Sequence, residues 1–275
     1  MNETRKVHTI RFGKKSGSLT AYIHNEDHHQ LDPFVLWDHF SAKAVMHSAG
    51  LDYHGHSGID AISYPVIGKL NHCDSAGSHI TLASGDVHIM TSGNGVIHKD
   101  TLTPKNGQIE AFSLWTALPA GQPEMAPASS THIQAQHLPL VEEKSTITKV
   151  IIGQYRNANS PVQYSLPITY LDVMIAPYSN WYFVPDSLQQ SGFIYLQSGT
   201  CYISGCQIQS QQMATLQPSA LPIEIRTGKI AARLFVVLGQ PLKQPFYASI
   251  SSVHSSQKNL TKATQNIKNL LLMRK

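Results

Sequence analysis

His54-Gly55-His56, together with the later stretch Gly93-Asn94-Gly95-Val96-Ile97-His98-Lys99-Asp100, decides how this chain is read. Each places two metal-ligand side chains at positions i and i+2: His54 with His56, and His98 with Asp100. In a β-strand, residues two apart project from the same face. Two such strands side by side in a barrel would aim three imidazoles and one carboxylate at one point. A lone His-x-His pair also occurs in surface loops. The second pair argues against that reading, because Gly93 and Gly95 permit a tight turn just before the ligand strand. Imidazole and carboxylate suit iron, manganese, nickel, copper or zinc without choosing among them. A saturated structural zinc site would more often include thiolates. Three histidines and one carboxylate leave positions open for water, oxygen or substrate.

Outward from these pairs, the chain is a series of short apolar runs broken by Gly, Pro, Asn and Ser, among them Ile59–Ile67, Val87–Met90, Thr169–Ile175 and Arg233–Leu238. That spacing predicts an all-β sandwich or barrel. Only 14% of residues are charged, and 41% are hydrophobic, which suits strands and turns around a sizeable core better than long surface helices. The segment Pro119–Gln136, rich in Pro, Ala, Ser and Thr, is expected to link two domains. Near the C-terminus Leu260, Ala263, Ile267, Leu270 and Leu271 recur at helical spacing behind Ser255 and Ser256, predicting a capped amphipathic helix over about 257–273.

Fourteen of the fifteen histidines precede residue 141, and only His254 follows it. The metal chemistry therefore belongs to the first half. A weak repeat, Tyr64-Pro-Val-Ile-Gly68 against Tyr195-Leu-Gln-Ser-Gly199, suggests a second barrel; aligning the tyrosines sets His54 and His56 opposite Pro185 and Ser187, so that the second copy lacks the ligands. The expected division is a metal-binding barrel over 1–136 and, over 137–275, a barrel without metal ligands plus the tail helix.

The net charge of +4, with no basic block, gives no support to direct nucleic-acid binding. No apolar run approaches the length needed to span a bilayer, and the charged first 17 residues carry no apolar stretch of the secretory kind. Three cysteines, an odd number, argue against a disulfide framework and fit a reducing cytoplasm, or a nucleus in a eukaryote.

With these residues in view, the chain resembles the pirin family of two-domain cupins. The resemblance is carried by Asp38-His39-Phe40, His54-x-His56-x-Gly58, His72-Cys73-Asp74-Ser75-Ala76-Gly77, Gly85-Asp86-Val87-His88-Ile89-Met90 running on to His98, and Leu114-Trp115 with Leu118-Pro119. It implies tandem jelly-roll barrels of which only the first holds a metal, usually iron, through three histidines and a glutamate. The positions carried over are His54, His56, His98 and Asp100. The chain departs from the pattern at Gly55, where the family usually has Pro, at Ser57, where it has Arg or Lys, and at Asp100, one methylene shorter than Glu.

The resemblance implies two activities. In one, a divalent metal such as Fe(II) serves a dioxygenase that opens a quercetin-like flavonol or another small aromatic compound with O2, with Asp100 as ligand and candidate base. In the other, the protein is a non-enzymatic, iron-dependent redox sensor that contacts a protein partner such as a transcription regulator. Around the ligands, Asp60, His88 and Met90 are read as pocket wall or as support for the ligand imidazoles. Asp60 is taken to share the strand parity of His54 and His56. His72 and Asp74 are read as hairpin-turn residues, Cys201 and Cys206 as buried free thiols, and Trp37 and Trp115 as core.

Overall fold

The computed structural model describes residues 3–164 and 166–274. It forms two compact units, one of residues 15–28, 34–135 and 242–275, the other of residues 1–14, 29–33 and 136–241. Residues 1, 2, 165 and 275 lie outside the described part.

The chain opens with β1 (Val7–Phe12), which belongs to the second unit. The histidine-bearing unit then follows as β2 (Lys14–Ser16), β3 (Leu19–Ala21), β4 (Phe34–Lys43), β5 (Ala49–His56), β6 (Ile59–Ile67), β7 (Lys69–Asp74), β8 (His79–Leu82), β9 (Val87–Thr91), β10 (Val96–Thr103), β11 (Gln108–Ala117) and β12 (Ser129–Ile133). They make a seven-stranded sheet, β12-β9-β6-β11-β4-β3-β2, and a four-stranded sheet, β5-β10-β7-β8. This is a jelly-roll barrel built from antiparallel strands.

Inward residues alternate along each strand, as the pleat requires: residues 38 and 40 of β4, 61 and 63 of β6, 88 and 90 of β9, and 111, 113 and 115 of β11 all line one cavity. The segment expected as a linker supplies β12, which pairs with β9. Its sequence Ser-Ser-Thr-His-Ile lacks an apolar stripe because it is an edge strand, ladder-bonded on one side only.

The second unit continues with β13 (Leu140–Glu143), β14 (Thr146–Ile152), the short hairpin β15 (Gln154–Tyr155) and β16 (Ala158–Asn159), then β17 (Ile168–Ile175), β18 (Asn180–Phe183), β19 (Ser191–Ser198), β20 (Thr200–Ile203), β21 (Cys206–Gln209), β22 (Gln212–Leu216), β23 (Ile223–Thr227) and β24 (Ala232–Gly239). Its sheets, β1-β22-β19-β24-β17-β14-β13 and β18-β23-β20-β21, repeat the arrangement of the first barrel. The repeat seen in sequence marks the same bend twice: Gly68 ends β6 at φ +96°, and Gly199 follows β19 at φ +89°. A Cβ at either would press on the carbonyl oxygen of Thr103 or Ala231.

The tail helix spans Gln257–Met273, and the Ser256 side chain accepts from the Asn259 N–H at its N-terminus. Although grouped with the second barrel in the sequence reading, it belongs to the histidine-bearing unit. Ile267 sits so close over Gly55 that a Cβ there would lie 2.2 Å from the isoleucine Cγ2. That accounts for Gly at the place where the family usually has Pro.

Candidate metal centre

A bulge sets the geometry of the site. Strands β5 and β10 pair His98 with His54, but Asp100 with Leu51, so one extra residue is accommodated in β5 near Asp52 and Tyr53. The shift in parity lets Ala49 and Leu51 on one side of the bulge, and His54 and His56 on the other, all face the cavity. Within the bulge the Asp52 carbonyl accepts a hydrogen bond from His54 Nδ1 at 2.8 Å. The Ser251 carbonyl likewise accepts from His56 Nδ1 at 2.9 Å. A carbonyl cannot donate, so both rings carry their proton on Nδ1 and keep the Nε2 lone pair free.

One ring nitrogen from each of His54, His56 and His98 comes within 4.8 Å of the others. The ring centroids are 4.4–4.9 Å apart. Both ring nitrogens of His98 are buried without a hydrogen-bond partner; Nδ1 has only the Asp100 carboxylate, 3.4 Å away, while Nε2 has nothing. A buried orphan nitrogen facing two free imidazole lone pairs is what a bound cation would complete. Burial first, and repulsion by His98 second, push His56 down to about 3; burial also lowers His54, against the hydrogen bond to Asp52. These rings are therefore neutral, as ligation requires.

Asp100 is not part of this trio. It forms a second trio with His72 and His98. Its Oδ1 accepts from His72 Nδ1 at 2.7 Å, and its Oδ2 lies 3.4 Å from His98 Nδ1, on the side of the ring away from Nε2. Burial pushes Asp100 up, but the hydrogen bond from His72 and the close approach of the His98 ring outweigh it and hold the carboxyl well below the usual range. Such a carboxylate is a poor proton acceptor, which weighs against the expected base role. Its position suits orienting His98, as carboxylates behind ligand imidazoles do.

His72 is not the turn residue expected. It lies on β7 directly opposite Asp100 and 2% exposed, and its Nε2 donates to Asp74 at 3.1 Å. Burial opposes a charge on it, yet the bonds to Asp100 and Asp74 and their charges raise it to about 9. His72 is thus an imidazolium clamped between two carboxylates. Asp74 does serve the turn as well, since its Oδ1 accepts from the N–H groups of Ala76 and Ser78.

Asp60 also departs from expectation. The turn at Ser57-Gly58, with Gly58 at φ +68°, breaks the parity between β5 and β6. Asp60 therefore faces away from the cavity that Ala61 and Ser63 line, and accepts a hydrogen bond from Thr91. His88 and Met90 line the cavity. So does Trp115, expected in the core; its ring meets that of His56 edge-on at 4.7 Å. Trp37 is fully buried. Cys201 is buried, but Cys206 is exposed, because it lies at the tip of the β20–β21 hairpin.

In the sequence Asp38 stands out only as part of the Asp38-His39-Phe40 motif, with no role attached to it. It lines the cavity with Oδ1 buried and unpartnered, and burial pushes its carboxyl up to about 7. The cavity measures about 450 Å³ and is walled mainly by apolar side chains such as Leu70, Met90, Leu102, Phe40 and Trp115. That size suits a small organic ligand.

In the second unit the counterparts of the ligands are apolar. Strand register sets Trp181 where His54 stands and Ile225 where His98 stands, not Pro185 or Ser187. These residues join Phe183, Ile203 and Ile223 in a continuous core. The misalignment comes from loop length: seven residues separate β18 from β19, but only two separate β5 from β6.

Two jelly-roll barrels in one chain, one open and histidine-lined and the other filled, define a bicupin. The Pirin family profile matches residues 15–116. A pirin-like protein of Arabidopsis thaliana is 31% identical over 195 residues, 70% of this chain and 67% of its own length. Pirin-1 of the same plant is 29% identical over 249 residues, 88% of this chain and 84% of its own. The chain belongs to the pirin family. Among solved structures, quercetin 2,3-dioxygenase from Acinetobacter baumannii superposes with a TM-score of 0.87 at 20% identity, over 97% of this chain and 98% of that one. The bacterial pirin YhhW of Escherichia coli, solved with nickel(II), gives 0.63 at 12% identity, over 85% of this chain and all of the other. At these identities the likeness is one of fold.

Proposed function

We propose that this protein is a metal-dependent dioxygenase that acts on a flat aromatic compound of the flavonol type, with the metal held by His54, His56 and His98. The observation that carries the reading is the orphaned, buried His98 Nε2 facing two imidazoles with free Nε2 atoms, at one end of an apolar cavity of about 450 Å³. The names of two structural relatives support it, one a quercetin 2,3-dioxygenase and the other a nickel(II)-bound pirin. A divalent transition metal, Fe(II) being the first candidate, would supply Lewis acidity toward a substrate hydroxyl and redox access to dioxygen. The donor set accepts manganese, nickel, copper or zinc as well.

The chain's own residues do the rest. Asp100 holds His98 in position and is held in turn by charged His72. Trp115 and Met90 offer faces against which an aromatic ring packs, and the apolar walls keep water from the reacting centre. The test is oxygen uptake by iron-loaded protein supplied with quercetin. Uptake that disappears in His98→Ala is expected; uptake at the buffer rate in the wild type would refute the dioxygenase reading.

A further inference from the structure

Strand register assembles a feature that no single stretch of sequence displays. Asp38 on β4 stands opposite Ser113 on β11. Ser113 stands opposite Ser63 on β6, and Ser63 opposite His88 on β9. All four residues line the cavity. They form one row across four adjacent strands, about 14 Å long at the ordinary spacing of a sheet. The flanking rows are apolar, with Trp115, Ala61 and Met90 on one side and Phe40 and Ala111 on the other.

We propose that this polar stripe is the specificity determinant of the cavity, selecting flat aromatic ligands that carry hydroxyl or carbonyl oxygens away from the edge presented to the three histidines. The assignment rests on the reading of the cavity as the site of a flavonol-like compound. Asp38 Oδ1 and His88 Nε2 are both buried without a hydrogen-bond partner. Buried polar groups are rarely left so, and an occupant of the cavity is what remains to satisfy them. The stripe is also well placed for the far part of a ligand. Trp115 touches the His56 ring at 4.7 Å, and Ser113 lies two residues, about 7 Å, further along the same strand. Asp38, pushed up to about 7 by burial, keeps its proton through much of the neutral range and donates it to a ligand oxygen. A site built to hydrogen-bond an oxygen discriminates sharply against the analogue that lacks it.

The test is calorimetric titration of nickel-loaded protein, under nitrogen so that no turnover occurs, with quercetin and with 3-hydroxyflavone. The two share the hydroxy-ketone edge, but only quercetin bears the outlying hydroxyls. Wild type is expected to prefer quercetin by about tenfold or more. Ser113→Ala and Asp38→Leu should each reduce that preference severalfold, while nickel content stays unchanged and Asp38→Leu binds 3-hydroxyflavone at least as well as wild type does. Equal binding of both flavonols by wild type, or a preference untouched by both substitutions, overturns the stripe and leaves the cavity reading standing. Binding of neither flavonol overturns both.

Discussion

Asp38 shows what a single buried carboxyl does to this barrel. Its pKa is about 7 in the fold against 3.8 in the open chain, raised by burial. The native state therefore binds more protons than the unfolded state between those values. The stabilising contribution is complete below about pH 4 and is lost as pH rises through 7. Asp38→Asn removes this titration. Relative to wild type, the variant should gain on the order of 3 kcal/mol between pH 4 and pH 8. Urea midpoints at the two pH values measure it, and an unchanged gap would contradict the assigned burial.

A second residue-scale expectation concerns Asp100. Because it supports His98 from behind, Asp100→Ala should weaken metal affinity by about 10- to 100-fold and not abolish it. Metal titration against a competing chelator gives the number, and complete loss of binding would instead make Asp100 a ligand. The histidine pair at 54 and 56 was legible because i and i+2 is a local relation. The roles of His72 and Asp38 were not, because they come from neighbours across the sheet: Asp100 for one, and for the other the burial of an Oδ1 that finds no partner in the cavity wall.

At the scale of elements, the tail helix is fastened by Glu124. That carboxylate is fully buried and accepts from the Ser255 N–H at 2.7 Å, the Ser255 hydroxyl at 2.6 Å and Asn259 Nδ2 at 2.7 Å. Glu124→Ala leaves three donors without their acceptor and should destabilise the histidine-bearing unit by about 2–4 kcal/mol. Faster hydrogen exchange confined to residues 257–273 and their neighbours on β5 and β10 would locate the effect; uniform exchange would not fit. The helix itself was readable from its 3.6-residue period, with Leu260 and Ala263 buried as that pattern demands. Strand β12 was not readable, since an edge strand of small polar residues has the composition of a linker.

At the scale of the whole molecule, one barrel design is used twice and filled differently. In the second unit Trp181 stacks on Tyr155 with centroids 5.6 Å apart and donates to Thr148 Oγ1 at 3.1 Å. Trp181→Ala should therefore cost about 3–5 kcal/mol, whereas His98→Ala in metal-free protein should cost less, because it gives up only the 3.4 Å contact of Nδ1 with Asp100 and Nε2 has no partner to lose. Chemical denaturation of the two variants compares them directly. The measurement that bears most directly on the account is metal analysis by mass spectrometry of protein purified without a metal-affinity step, with His54→Ala, His98→Ala and Asp38→Leu alongside. About one equivalent of a transition metal in wild type and Asp38→Leu, and none in the two histidine variants, is the predicted result. Metal content that does not depend on His54 and His98, or wild-type protein that takes up no metal even when supplied with it, would contradict the three-histidine centre.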